Sequence, residues 1–365
     1  MNIIVVGAGI SGLSTAWALT KQGVSVTLVE QGPVPNPLGA SGDQHRIIRR
    51  AYGGQGGYQR RIGAAFDAWD ALWDDLGESH YENTGFLLLS QTPGDEGEQY
   101  RDGLADGGYP FEQMSGGQTQ DRYPFIDGNT LRFGAFSTEG GVLLCQKIAI
   151  GLRSWLRQNG AEVREHTRVL ALDRDIGSVT LEGGQMLHAD KIIVTAGAWT
   201  LGLLPELASS LTTYRTAVAY LTPPEDLRSH WENAPVILDV GGPVDGYVLP
   251  PVAGTGLKVG AGVHKRRSDP NVDRSPAPGE GEVIRDLFSP PFCRIAEYGI
   301  ADVVTCAYTF TRDEHFYLQD MGKVTAVSAC SGHGYKFGAV VGQKLAEAAL
   351  SGEMETARIW LEARD

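Results

Sequence analysis

The sequence predicts an α/β protein in which a Rossmann-like domain is interleaved with an α+β lobe built on a mainly antiparallel sheet. Three observations carry that expectation. The chain opens on strand, Gly-rich turn, helix, strand and acid over residues 2–30. A series of short apolar runs fills 211–263, and a second strand, Gly-rich turn and helix closes the chain from 324 onward.

The opening unit has the order that a dinucleotide-binding βαβ unit requires. Ile3-Ile4-Val5-Val6 enters Gly7-Ala8-Gly9-Ile10-Ser11-Gly12, a helix-like segment runs to Gln22, and the apolar run 24–29 ends on Glu30. Gly7 permits the tight turn, Gly9 lets backbone N–H groups approach a pyrophosphate, and Gly12 lets the helix pack close to the sheet. The helix N-terminus adds partial positive charge and unpaired donors. Glu30 can accept hydrogen bonds from ribose hydroxyls, which disfavours a 2′-phosphate.

A Pro-rich loop, 31–38, leads through Gly39-Ala40-Ser41-Gly42-Asp43-Gln44-His45 to Arg46-Ile47-Ile48-Arg49-Arg50-Ala51-Tyr52. Two readings stand for this basic stretch: a solvated turn, or an anion site whose guanidinium groups grip phosphate or carboxylate bidentately. Residues 58–76 read as a helix, because Ile62, Phe66, Trp69, Trp73 and Leu76 recur at three and four and Gly77 stops the run. Its aromatic stripe reads as core. Residues 81–90 read as one strand, and the acidic, Gly-rich stretch 92–129 shows little periodicity.

A second helix spans 144–159 and stops at Asn159-Gly160. A strand opening at 161–163, a Gly183-Gly184 hairpin and a buried strand at 191–195 follow. That last strand runs into Ala196-Gly197-Ala198-Trp199, which fits either a plain strand-end turn or a backbone passing close to a ligand. Strand-like segments at 217–221, 236–240, 247–249 and 256–260 indicate the antiparallel lobe. A charged, Pro-rich surface loop spans 265–291, with a short helix near 283–288. Strands at 304–309 and 324–329 precede Cys330-Ser331-Gly332-His333-Gly334-Tyr335-Lys336 and an apolar helix over 337–350. The N-terminus of that helix suits an electron-rich ring edge such as the N1–C2=O locus of a reduced flavin.

A formal charge of −13 argues against nucleic acid as a partner, since phosphate binding needs a basic face. No apolar run approaches membrane-spanning length, and Met1 opens directly onto the nucleotide fold without a signal-peptide core. The cysteines Cys145, Cys293, Cys306 and Cys330 are widely spread. They read as reduced thiols of a cytoplasmic protein, with neither a disulfide frame nor a metal site.

A nucleotide fold split by a β-rich insertion suits a two-lobed flavoenzyme. The opening fingerprint, RIIRRAYG, GAW, GLKVG, CAYTFTRDEHF and SGHGYKF run nearly end to end through the chain. Together they resemble the monomeric sarcosine oxidase family of amine oxidases, within the D-amino-acid-oxidase-like flavoproteins. The last two blocks, at this spacing, discriminate most. The resemblance implies a glutathione-reductase-type FAD domain over 1–80, 141–210 and 302–365, and a substrate domain over 81–140 and 211–301.

By the same resemblance, Cys306 corresponds to the cysteine that carries FAD through a thioether to the 8α carbon. Taken alone it would read as a buried free thiol. Lys258 corresponds to the lysine beside the flavin ring that promotes reaction with dioxygen, a buried cation stabilising developing superoxide. Arg49 and Lys336 correspond to the pair holding the substrate carboxylate, and Arg46 to an arginine stacked near the flavin. Tyr247 and Tyr308 match aromatic positions on the substrate side, and His264 resembles a histidine of the same cavity. The implied cofactor contacts also include Gly7, Gly9, Ile10, Ser11, Gly12, Glu30, Gln31, Ser41, Val169, Gly197, Trp199, Gly332, His333, Gly334 and, in a second role, Lys336. The chain departs from the family pattern at Gly42, where a histidine is usual, at His45, where threonine is usual, and in the longer Gly260-Ala261-Gly262 stretch before His264. The implied pocket floor therefore differs.

The implied reaction oxidises the C–N bond of an amino acid bearing a secondary amine, giving an imine that hydrolyses, while dioxygen becomes hydrogen peroxide. The protein supplies orientation and electrostatics to the flavin's chemistry. The implied partners are a small amino acid with a carboxylate and dioxygen, in a monomer or small homo-oligomer. Two alternatives stand beside it: a dehydrogenase passing electrons to a carrier, and a non-catalytic FAD-bound subunit of a larger complex. Sarcosine, larger N-methyl amino acids, cyclic imino acids and glycated amino acids all stay open as substrates.

Overall fold

The computed structural model describes residues 1–53, 55–240 and 244–365. The opening unit forms in the predicted order: β1 (Asn2–Val6), α1 (Ile10–Lys21) and β2 (Ser25–Val29). β1 is the centre of a six-stranded sheet because its apolar residues are buried on both faces. The strand order is Tyr317–Met321, Val324–Ser328, Lys191–Val194, β1, β2, Glu162–Arg164. All its pairs are parallel except that of Tyr317–Met321 with its neighbour. Strands from both ends and the middle of the chain thus close one sheet. α1 and the helix Gly338–Ser351 pack against each other so closely that a Cβ on Gly342 would lie 2.3 Å from the backbone of Ser14.

A nine-stranded, mostly antiparallel sheet forms the second layer. Its order is Arg266–Arg267, Thr212–Thr222, Leu257–Ala261, Gly246–Leu249, Val236–Val240, Phe86–Ser90, Phe133–Ser137, Glu112–Met114. Gly299–Phe310 pairs along Thr212–Thr222 beside this path, so residues 302–310, read above with the nucleotide unit, belong to the antiparallel sheet. One core cluster lies under this sheet, around Phe125, Trp231 and Phe288.

Three local expectations change. The basic stretch is neither turn nor loop: Arg46–Arg49 is a strand, β3, paired with Gly140–Leu143 in a three-stranded seam separate from the two large sheets. The single strand expected at 81–90 is two, β4 (Tyr81–Glu82) in that seam and β5 (Phe86–Ser90) in the large sheet. Gly85, at φ 66°, makes the break. The unperiodic stretch 92–129 holds two helices, Glu96–Asp106 and Gly116–Arg122, each started by a side-chain cap, Asp95 and Ser115. The long helices form where periodicity placed them, at α2 (Gly56–Leu76), Cys145–Gln158 and Gly338–Ser351.

Candidate active site

A cavity of about 940 Å³ runs between the parallel sheet and the antiparallel sheet. That lies at the large end of the range of roughly 300–1,000 Å³ for small-molecule sites. At one end its wall is the first βα turn, with Gly7, Gly9, Ile10 and Ser11 all exposed to it. Gly7 has φ 99°, and a Cβ there would lie 2.7 Å from the carbonyl of Thr195, so the turn closes only on glycine. A Cβ on Gly12 would lie 1.8 Å from the Gly7 carbonyl, which accounts for glycine there even though Gly12 packs behind the wall.

α1 begins without a side-chain cap and without an acid in its first turn. Its free N–H groups and dipole therefore suit an anion. Ser41 takes one of these donors, with Ile10 N to Ser41 Oγ at 3.1 Å. Glu30, at the tip of β2, accepts from Ala8 N at 2.8 Å, Gly32 N at 2.9 Å and Asn36 Nδ2 at 2.9 Å. Those donors fix its carboxylate on the wall beside Gln31, Val169, Gly197 and Trp199. An uncapped helix start, a fixed acid at the adjacent strand tip and an elongated cavity fit FAD.

The middle of the cavity is bounded by Arg46, Cys306 and Cys330. Cys306 is buried on strand Gly299–Phe310; burial pushes its thiol up, while Arg46 pulls the other way. Arg46 donates to Asp43 Oδ2 at 2.7 Å, to the Ala40 carbonyl at 2.7 Å and to the His45 carbonyl at 2.9 Å. Its head is therefore held by this chain's own acceptors.

The far end gathers two cations from opposite ends of the chain. The Arg49 guanidinium lies 5.1 Å from the Tyr52 ring and 4.3 Å from the Tyr100 ring. Lys336 Nζ lies 5.4 Å from the same Tyr52 ring and donates to the His333 carbonyl at 3.4 Å. Trp69, from the aromatic stripe of α2, donates to the Lys336 carbonyl at 2.8 Å and so fixes that backbone. Both cations, Tyr52, Tyr100, Tyr247 and Tyr308 line the cavity. Burial pushes the Tyr247 and Tyr308 phenols up, so both stay protonated. His333 bonds the Tyr52 hydroxyl at 3.1 Å; burial, with Lys336 beside it, holds its imidazole at about 3 and therefore neutral. Gly332 and Gly334 complete this turn on the wall.

Two expected site residues stand elsewhere. His264 is absent from the described wall: the short turn Gly262–His264 aims its ring at Glu280, with Nε2 to Oε1 at 2.7 Å. The buried Glu280 also takes Arg215, so His264 serves a clasp between the loop and the sheet. Lys258 is 0% exposed and likewise off the described wall. Its ammonium donates to Asp43 Oδ2 at 3.0 Å and to the His45 carbonyl. Asp43, which the sequence reading passed over, is on the wall. An acid standing three residues before a run of arginines, just after small residues, was the available sign. The sequence reading also missed Tyr100, inside the unperiodic stretch, and the carboxyls Glu96, Asp245 and Glu314 that line the same cavity.

Known proteins agree with this geometry. The profile of FAD dependent oxidoreductases matches residues 2–348. Monomeric sarcosine oxidase of Bacillus sp. (strain B-0618) is 29% identical over 369 residues, covering 97% of this chain and 93% of that protein. N-methyl-L-tryptophan oxidase of Salmonella heidelberg (strain SL476) is 25% identical, covering 96% of this chain and 94% of that protein. Among solved structures, L-proline dehydrogenase from P. horikoshii has the same fold, with a TM-score of 0.83 at 17% identity over 99% of this chain and 96% of that one. The fingerprint turn, the fixed acid, the cavity between two sheets and the profile match lead to one conclusion: this chain belongs to the FAD dependent oxidoreductase family.

Proposed function

We propose that this chain is an FAD-dependent oxidase of amino acids bearing a secondary amine, with sarcosine-like, larger N-methyl, cyclic imino and other N-substituted amino acids as the substrate class. One observation carries the reading: Arg49 and Lys336 reach the same Tyr52 ring at one end of a cavity whose other end is the uncapped start of α1. Two cations from opposite ends of the chain that face one cavity attract an anionic group of the substrate. A substrate carboxylate supplies that anion, with Arg49 as a fork and Lys336 as a point charge. Tyr247, Tyr308 and Tyr100 wall the substrate in and exclude water around its amine.

Gly7, Gly9, Ile10, Ser11, Glu30, Gln31, Ser41, Val169, Gly197 and Trp199, with Arg46 and the Gly332-His333-Gly334 turn, would hold the FAD. When bound, it supplies the two-electron acceptance that turns the C–N bond into an imine. Cys306 would hold it through a thioether, and Lys258 would supply the cation that favours reaction with dioxygen to hydrogen peroxide. No residue need remove a proton from the substrate's carbon, since a neutral amine carries the driving lone pair. The other thiols, Cys145, Cys293 and Cys330, support a reducing, cytoplasmic setting. The FAD domain we assign to 1–80, 141–210 and 302–365, with 302–310 lying in the antiparallel sheet; the six-stranded sheet, which draws on each of these segments, supports it.

A screen of N-methyl, cyclic imino and glycated amino acids, read by peroxide release, tests this proposal. Turnover of acids with peroxide formation is the expected result. Equal turnover of decarboxylated analogues would overturn the clamp. A dehydrogenase is the second reading, favoured by the withdrawal of Lys258 from the wall into an ion pair. Substrate-dependent reduction of a dye without peroxide in air would establish it.

A further inference from the structure

Lys258 brings an ammonium into the middle of a sheet. Its strand, Leu257–Ala261, is buried at every residue and hydrogen-bonded on both sides. Of the groups its ammonium touches, Asp43 is the one whose side chain also lies on the cavity wall. Asp43 is itself fully engaged. Besides Lys258 it accepts from Arg46 at 2.7 Å, from the Tyr220 hydroxyl at 2.5 Å and from Gln44 N at 2.8 Å. One carboxylate thus joins two cations from different elements, and it is 7% exposed.

We infer that Asp43 is a positioning residue: it holds Lys258 charged directly behind the cavity wall, and so sets the pH range over which this chain supports reoxidation by dioxygen. The inference rests on Lys258 being the oxygen-promoting cation. In that half-reaction dioxygen takes two electrons and one proton from the anionic reduced cofactor and a second proton from water. It leaves as hydrogen peroxide.

The groups facing the ammonium make the case. Burial pushes Lys258 down, Asp43 pushes it up and Arg46 pushes it down, leaving it at about 8. His45, on the approach to β3, stays neutral: burial first, and then Lys258, hold it at about 2. Burial pushes the Tyr220 phenol up, and lifts the Cys145 thiol to about 11, so neither is an anion near neutral pH. Asp43 is therefore the anion among the described neighbours that keeps the lysine protonated. Without it, burial and Arg46 act unopposed and the ammonium loses its proton at lower pH.

The test uses the FAD-loaded protein and Asp43→Asn, Asp43→Glu, Tyr220→Phe and Lys258→Met. Two quantities are followed against pH: the rate of reoxidation by dioxygen after substrate reduction, and the lysine Cε chemical shift, with Lys258→Met identifying the signal. In the wild type both should break near 8. Asp43→Asn should move both breaks down by about one to three pH units, the usual effect of a neighbouring opposite charge, and Asp43→Glu should restore them. Asp43→Asn with unmoved breaks overturns the inference. If Asp43→Asn does not fold, Tyr220→Phe decides: freeing one Asp43 lone pair should raise the Cε break, and an unmoved break overturns the inference. Should Lys258→Met leave reoxidation unchanged while the Asp43→Asn shift in Cε persists, the reading of Lys258 fails and the Asp43–Lys258 coupling stands without its catalytic role.

Discussion

At the scale of single residues, side chains of like chemistry behave differently because their surroundings differ. Cys306 and Cys293 are both free, but only Cys306 faces the cavity. Cys306→Ser should therefore abolish flavin retention after acid precipitation, measured as flavin absorbance in the protein pellet, with colour before precipitation largely kept. Lys258→Met should slow reoxidation by dioxygen about a hundred- to a thousandfold, the usual effect of removing one preorganised charge at a developing anion. Stopped-flow reduction by substrate should change far less. Arg49 sits between the Tyr52 and Tyr100 rings, where a planar guanidinium stacks and a lysine ammonium does not reproduce the fork. Arg49→Lys should lower kcat/KM about tenfold or more, while flavin content stays unchanged. A loss of flavin instead would mean that Arg49 grips the cofactor.

At the scale of elements, the cofactor end depends on how closely two helices approach. α1 presents its start to the cavity, and the helix Gly338–Ser351 holds it there through glycines that admit no side chain. A Cβ on Gly338 would lie 2.3 Å from Ile10 Cγ1, and one on Gly342 equally close to the Ser14 backbone. Gly342→Leu should therefore push α1 out of line and destabilise the fold by about 1–3 kcal/mol, as overpacking does. Thermal unfolding would report the stability, and a fall in FAD retention on dialysis would report the displaced helix start. These helices were legible because their apolar positions recur over three or more turns. Glu96–Asp106, Gly116–Arg122 and Met354–Glu362 were not. They are short, and the first buries only Gly97, Gly103 and Leu104, so capping and docking define it rather than an apolar stripe.

At the scale of the whole molecule, charge clasps tie elements distant in sequence together. Glu280 is buried, and burial alone would raise its pKa, but Arg215 and His264 outweigh that and hold it at about 2 against an ordinary 4.5. A carboxylate depressed in the folded state contributes stability that is fully present above its unfolded pKa and is lost as pH falls through the folded one. The unfolding free energy should therefore fall between pH 4.5 and about 2. Glu280→Gln should flatten that fall while lowering stability at neutral pH, as denaturant titrations at several pH values would record. An unchanged slope would mean that other carboxylates carry the acid sensitivity.

By itself, the sequence determined what local physics encodes. Gly7, Gly9 and Gly12 at their spacing specify the nucleotide turn, the three-and-four recurrence in α2 specifies a helix with a buried aromatic face, and Glu30 follows from the length of the unit. The tertiary structure decided which buried charges meet. Asp43 and Lys258 are separated by 215 positions and Tyr52 and His333 by 281, distances that no local periodicity spans. Arg49 and Lys336 were expected to converge, and they do, at Tyr52. His264 was expected in the same cavity, and a short turn sends it to Glu280 instead. A buried ionic side chain takes its role from the partner that offsets its desolvation. Here sheet register and turn geometry, more than the residue type, chose that partner.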